Sequence, residues 1–399
     1  MNNIYKDLYQ QAVEVLQKNW TGTFTKPGAL LYHHQWSWDS AFVAIGYAHY
    51  DQERAEREMR TLFEGQWSNG MIPHIVFADQ ADDYFPPPAF WETGRIAMAS
   101  RSHGTSGIVQ PPVHATAILH MYRHAQDVAQ ARNFLIEAFP HLKAWHEYLY
   151  RERDPQGEGL VFIRHPWESQ DNSPIWNPVY LHMQLKPEDI PAYTRVDTRN
   201  VNAELRPRNE DYDRYAYLVK FFAARDYDEA KIAQDCPFLV QDVLFNALLC
   251  QGNRDLAEIA CLIGEDPVPF EQMAERTAQT INQKLWNEER GVYIDFDLVT
   301  GEYIHKYTAA GFLPLFAGIP DAERARRMYG YLNSISFYSL DEQAYPVPTY
   351  DRTEPDFEPS RYWRGPVWIN IDWLLYHGLQ RYGFVEYAEH IKQTIIELV

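Results

Sequence analysis

The chain has 399 residues, 46% of them hydrophobic, enough to bury one large core or two medium ones. Its formal net charge of −19 excludes a nucleic-acid partner or an anionic membrane surface, both of which call for clustered Lys and Arg. The 3 cysteines, Cys236, Cys250 and Cys261, show neither a disulfide framework nor a zinc spacing, and are expected as core thiols in a reducing compartment.

The N-terminal stretch Met1–Asp7 is polar and lacks the apolar run of a secretion signal, and no segment approaches the length of a membrane span. A cytoplasmic protein is expected. Leu8, Ala12, Val15 and Leu16 recur at helical spacing within a first helix over 5–19. Helices follow over 39–49 and 51–65, then a turn at Asn69-Gly70 and an extended piece over 71–74. After a proline-containing loop over 78–90, helices are expected over 91–101, 113–126 and 129–149. Segments 152–180 and 181–211 read as loops. The helical rhythm returns over 212–225, 238–251, 253–263 and 267–287, where Ala274, Ala278, Ile281 and Leu285 share a face. The alternating run 291–297 is expected as a strand of a hairpin. Helices resume over 307–317, 320–333, 366–382 and 384–398, with a long loop over 335–362. About a dozen helices in sequential pairs, with no domain linker, imply helical hairpins around one core. If the hairpins stand in a ring, the long loops gather at one end and build a pocket there. Residues 1–399 are then a single domain.

Aromatic residues make up 15% of the chain, with 12 Trp and 27 Tyr. Many Trp sit at segment junctions, among them Trp36, Trp38, Trp67, Trp91, Trp167, Trp176, Trp363 and Trp368. Sugars present apolar C–H faces ringed by hydroxyls, and a site for them calls for flat aromatic walls beside fixed polar groups.

Five stretches carry candidate chemistry. In Arg164–Pro174, Glu168 and Asp171 flank a short turn beside Trp167, and prolines restrict the backbone on both sides. A carboxyl group against an aromatic surface acquires a raised pKa and suits a proton donor. The alternative is a loop in which Asp171 caps a helix. In Tyr32–Ser40, Asp39 either caps the next helix or clamps sugar hydroxyls beside Tyr32 and Trp36. His33 and His34 are adjacent, and no metal spacing completes them. Gln110, before Pro111-Pro112, either offers its amide to a ligand, with Tyr84 on another loop, or sits in an ordinary turn. In Leu205–Tyr215, Arg206 and Arg208 are candidates for a bidentate carboxylate clamp or for a surface ion-pair patch. In Arg361–Asn370, Gly365-Pro366 opens a helix flanked by Trp363 and Trp368.

Four motifs taken together resemble glycoside hydrolase family 63, over nearly the whole chain: Trp36-Ser37-Trp38-Asp39, Asn69-Gly70-Met71-Ile72-Pro73-His74, the pair His165-Pro166-Trp167-Glu168-Ser169 and Asp171-Asn172-Ser173-Pro174, and Tyr362-Trp363-Arg364-Gly365-Pro366-Val367-Trp368. The similarity is to its small members that hydrolyse mannosylglycerate and glucosylglycerate. The resemblance implies an all-α (α/α)6 barrel and an inverting mechanism on a small α-glucoside or α-mannoside. Inversion uses a carboxylic acid on the leaving oxygen and a second carboxylate, about 6.5–9.5 Å away, that activates water. It further implies Asp171 as the general acid, with Glu168 supporting its loop. Tyr32, Trp36 and Asp39 are implied around the sugar, with Tyr84, Gln110 and Trp167 nearby. Arg206, Tyr212, Tyr362 and Trp363 are implied around a glycerate-like aglycone, with Trp368 as a further wall. The family has one more residue between the motif's Glu and Asp than this chain has between Glu168 and Asp171. The resemblance places the general base in a loop beyond Val399, so a C-terminal segment is expected to be missing. Glu354, Asp356 and Glu358 are the candidates within the chain. The alternative is a sugar-binding remnant of the same fold without chemistry. A small carbohydrate partner is expected, with no cofactor, no metal, and an oligomeric state the sequence leaves open.

Overall fold

In the computed structural model, residues 3–79, 84–338 and 345–399 are described. The chain is predominantly helical, and its strands are two residues long. It forms two compact units. One comprises Met1–Tyr148, Gly252–Phe270 and Ile396–Val399; the other comprises Leu149–Gln251 and Glu271–Ile395.

In the first unit, helix Ser37–Tyr47 packs between Gln52–Glu64 and His114–His124. Helix Gln52–Glu64 forms because Asp51 caps it, accepting from the Arg54 N–H at 3.1 Å. Ala55, Met59, Leu62 and Phe63 then fall on one buried face. The extended piece after Asn69-Gly70 ends in strand Ile75–Val76, which pairs antiparallel with Gln35–Trp36. This pairing fixes the backbone that enters helix Ser37–Tyr47. The expected helix over 91–101 is not formed. A short helix, Pro88–Trp91, ends at Glu92, whose φ of 57° is left-handed, and a 3-10 turn over Thr93–Arg95 follows.

In the second unit, helix Asn209–Ala223 turns Tyr212, Tyr215, Ala216, Val219 and Phe222 inward. Asp211 steadies its start by accepting from the Arg208 N–H at 2.9 Å. Helix Ala322–Leu332 is capped by Asp321, which accepts from Glu323 and Arg324 N–H groups. The expected helix over 307–317 is a tighter 3-10 segment, Ala309–Leu315, with Pro314 inside it. Helix Ile369–Arg381 packs on this segment. Gly378 permits the close approach, because a Cβ there would lie 2.7 Å from the Phe316 nitrogen.

Three further sequence expectations need correction. The helices expected over 238–251 and 253–263 are one helix, Val243–Ile263, preceded by strand Val240–Gln241. Gly252 lies inside it, where a Cβ would stand 3.0 Å from the His146 ring and 3.1 Å from the Pro112 carbonyl oxygen. The strand expected over 291–297 is two strands in different sheets: Val292–Tyr293 pairs with Trp286–Asn287, and Phe296–Asp297 pairs with Val240–Gln241 and Glu302–Tyr303. Between them, Asp295 turns inward and accepts from the Val243 N–H at 2.7 Å. Cys236 and Cys250 are buried as expected, but Cys261 is exposed on the outer face of its helix.

Candidate active site

Asp171 lies in the second unit, in a loop built by buried charges. A 3-10 turn over Pro166–Glu168 precedes it, and Glu168 is wholly buried. Arg153 donates to both Glu168 carboxylate oxygens, at 3.0 and 3.2 Å, and the Arg164 N–H donates to Oε2 at 2.7 Å. Glu229 completes the network, 3.0 Å from Arg153 and 2.8 Å from Arg164. Burial alone pushes Glu168 up, but the two guanidinium groups outweigh it and hold Glu168 below the usual carboxylate range. Glu168 is thus a structural anchor, in line with the supporting role expected of it. Beyond it, the Ser169 hydroxyl donates to Asp242 at 3.0 Å, and the Trp176 ring N–H donates to the Gln170 carbonyl at 2.6 Å.

The carboxyl group of Asp171 is the reverse case. It is buried, and its Oδ1 has no hydrogen-bond partner among the described residues. Burial pushes its pKa up to about 7, with Asp211 and Asp197 adding to the rise and the Tyr215 hydroxyl and Arg206 opposing it. A carboxyl group raised to about 7, with one oxygen unpartnered, has the properties that a general acid needs. The capping alternative fails, because the next helix starts at Trp176 with Ile175 at its N-cap and no side-chain cap.

Around it the second unit gathers further candidates. Trp167 lies 5.1 Å from Tyr215 and 6.3 Å from Tyr212, ring centre to ring centre. The Asn172 N–H donates to the Tyr215 hydroxyl at 3.1 Å. Asn172 also ties the acid loop to the Trp363 loop: its Oδ1 accepts from the Trp363 N–H, and its carbonyl accepts from Arg364, both at 3.2 Å. Its φ of 45°, and the φ of 35° at Tyr362, place local strain where the two loops meet. Trp363 and Trp368 stack at 4.4 Å, nearly parallel, and the Trp368 ring N–H donates to the Tyr362 carbonyl. The Arg206 guanidinium sits 4.4 Å over the Tyr362 ring and donates to Asp197 at 3.0 Å. Arg195 shares Asp197 at 2.8 Å and covers Tyr212 at 3.9 Å. Arg208, the other candidate clamp, pairs with Glu358 on the surface.

The first unit brings together Tyr32, Trp36 and Tyr84. Tyr32 and Tyr84 stand edge-on to Trp36 at 5.1 and 5.3 Å. The buried Glu58 locks the stretch on either side of Trp36, accepting from Ser40 at 2.6 Å, from Gln35 at 3.2 Å and from the Thr25 N–H at 2.8 Å. Ser37 bonds the His114 ring at 2.8 Å, and the Trp38 N–H donates to Gln110 Oε1 at 3.1 Å. Gln110 therefore spends its oxygen on positioning this segment. Asp39 stands in the first turn of helix Ser37–Tyr47, where Trp36 is the N-cap, so it does not cap that helix. It is half-buried, and burial pushes its pKa up to about 7. Not every junction tryptophan lines a site: Trp91 and Trp176 are wholly buried, and Trp67 bonds Thr105 in the core.

Sequence reasoning did not single out Tyr215, Asn172 or Asp197. Tyr215 lies three residues after Tyr212 on one helical face, a signal available from spacing. Nothing local marks Asp197. The acids Glu354 and Asp356 pair with Lys306 at 3.6 and 2.9 Å, and Glu358 pairs with Arg361 and Arg364 at 2.7 Å. Burial acts to raise Asp356 and Glu358, but their cations win and hold both low. All three are therefore ion-paired.

A helical scaffold presents a buried carboxyl group with a raised pKa, stacked tryptophans and an arginine set over a tyrosine, and comparison with known proteins defines the class as glycoside hydrolase. A family model, the mannosylglycerate hydrolase MGH1-like glycoside hydrolase domain, matches residues 32–399. A mannosylglycerate hydrolase of Rubrobacter radiotolerans is 53% identical over 98% of this chain and 89% of its own. A glucosylglycerate hydrolase of Mycolicibacterium hassiacum is 37% identical over 97% and 89%. The crystal structure of a GH63 mannosylglycerate hydrolase from Thermus thermophilus, in complex with Tris and D-glycerate, is similar at a TM-score of 0.91, with 45% identity over 97% of this chain and 90% of that one. The chain belongs to the MGH1-like glycoside hydrolases of family 63. Its fold is the (α/α)6 barrel of that family, and it is a glycoside hydrolase.

Proposed function

We propose that this glycosidase hydrolyses an α-mannoside or α-glucoside of glycerate with inversion, and that Asp171 is its general acid. One observation carries the reading: a buried carboxyl group raised to about 7, with one oxygen unpartnered, on a loop held by an ion network rather than by the acid itself. In the reaction the C1–O bond breaks, the Asp171 proton goes to the departing glycerate oxygen, and a water oxygen bonds C1. A second carboxylate outside the acid loop takes the water's proton. Arg206, with Tyr212, Tyr362 and Trp363, receives the glycerate carboxylate, a role supported by the charge a guanidinium matches bidentately. Trp368 supplies a further wall. Tyr32, Trp36, Asp39, Tyr84, Gln110 and Trp167 hold the sugar. Relatives named for mannosylglycerate and glucosylglycerate support both substrates, which differ at one sugar hydroxyl. We further propose one catalytic domain in a cytoplasmic setting, supported by three free thiols. Among the described residues no helix is long and apolar enough to cross a membrane.

The test is product release from mannosylglycerate, glucosylglycerate and an aryl α-mannoside, with the first-formed anomer read by proton NMR. The β-anomer from a glycerate glycoside is expected. No release from any α-glycoside, or an α-anomer formed first, overturns the proposal.

A further inference from the structure

The first unit holds a cluster that the glycosidase reading does not use. His120 and His124 are four residues apart on helix His114–His124, so their side chains share one face. His49 follows helix Ser37–Tyr47, which packs against it. One ring nitrogen from each of the three lies within 4.8 Å of the other two. His49 and His124 are exposed and His120 half-buried, so an ion can reach them.

We propose that His49, His120 and His124 form a binding site for one divalent transition-metal ion, Zn²⁺ in particular. Three details of geometry support it. The Nε2 atoms of His49 and His120 are 3.3 Å apart. Two nitrogens bound at about 2.0–2.1 Å in tetrahedral geometry are separated by about that distance. The His124 Nδ1 lies 2.9 Å from the His120 carbonyl oxygen, which can only accept. His124 therefore carries its proton on Nδ1 and keeps the Nε2 lone pair for a metal, the arrangement in which an outer hydrogen bond orients a ligating imidazole. The His120 and His124 rings stack at 4.0 Å, and His124 approaches His49 at 4.6 Å. Three imidazoles suit zinc, copper or nickel, and leave a fourth position for water. The bound ion would pin the C-terminal end of helix Ser37–Tyr47, whose first turn carries Asp39, to helix His114–His124.

The proposal is independent of the glycosidase assignment, and its test does not read activity. The full chain is titrated with ZnCl₂ by calorimetry and with Co²⁺ by visible absorption. His120→Ala and His49→Ala are the site variants, and His103→Ala, a histidine paired with Glu64 elsewhere, is the control. Expected are one equivalent of Zn²⁺, tetrahedral Co²⁺ bands that Zn²⁺ displaces, a loss of affinity of at least about 10-fold in each site variant, and no loss in the control. Zn²⁺ is also expected to raise the thermal midpoint of the parent but not of His120→Ala. Affinity weaker than millimolar in the parent, or Zn²⁺ affinity unchanged in both site variants, overturns the proposal. His49 is exposed and His120 half-buried, so both site variants are expected to fold.

Discussion

Burial pushes the Asp171 pKa up to about 7, because ionising the group places a charge in a desolvated site where Asp211 and Asp197 also repel it. A carboxyl group raised from its usual range to about 7 favours the folded state below the unfolded pKa. That contribution is lost as pH rises through the folded pKa. Asparagine keeps the shape and cannot ionise. Asp171→Asn is therefore expected to stabilise the chain at pH 8, by on the order of 2–4 kcal/mol, and to leave it little changed at pH 4. Thermal midpoints at the two pH values measure this, and equal shifts at both contradict the neutral acid. Arg206 poses a different question, because its guanidinium is shared between Asp197 and the Tyr362 face. Arg206→Gln leaves Asp197 paired with Arg195. It is expected to raise KM for a glycerate glycoside by about 10–100-fold, the worth of a charge-assisted hydrogen bond. KM for a substrate with an uncharged aglycone is expected to change little. A uniform rise across both substrates removes the carboxylate role.

At the scale of elements, the acid loop depends on charges it does not use in chemistry. Arg153, Arg164, Glu168 and Glu229 are all nearly inaccessible to solvent, and their ion pairs tie the loop to residues distant in the chain, with the Arg164 backbone N–H also donating to Glu168. Removing one partner leaves an uncompensated buried charge. Glu168→Gln is expected to destabilise the protein by about 3–5 kcal/mol, read as a lowered thermal midpoint. A loss under about 1 kcal/mol would mean that the loop is held by something else. The motif containing Glu168 was legible from residue types and prolines, and the division of roles within it came from the family resemblance rather than from the residues themselves. Glu168 and Asp171 look alike in a sequence, and only the long-range approach of Arg153 and Glu229 separates an anchored anion from a neutral acid. Element boundaries failed for similar reasons. Apolar spacing continues through Ile96, but the left-handed turn at Glu92 ends the helix. Gly252 reads as a break, yet the helix runs on through it, with the His146 ring and the Pro112 carbonyl packed close. Cys261 reads as core by its apolar neighbours, and the helix phase turns it outward.

At the scale of the whole molecule, helical class and the four motifs were readable because periodicity and turn residues are local properties. The candidates Tyr32, Trp36 and Tyr84 meet in one unit, and Trp167, Asp171, Arg206, Tyr212, Tyr362, Trp363 and Trp368 belong to the other. Asp197 carried no local signal and Tyr215 only its spacing from Tyr212, although both act on the Asp171 carboxyl group alongside its burial. The account as a whole therefore rests on proton donation by that one residue to a poor leaving group. The most direct measurement compares kcat/KM of the parent and Asp171→Asn on mannosylglycerate and on an aryl α-mannoside whose phenolate leaves without protonation. The account predicts a loss of about 10²–10⁴-fold on mannosylglycerate and a loss at least ten times smaller on the aryl glycoside. Equal losses on the two substrates would contradict it.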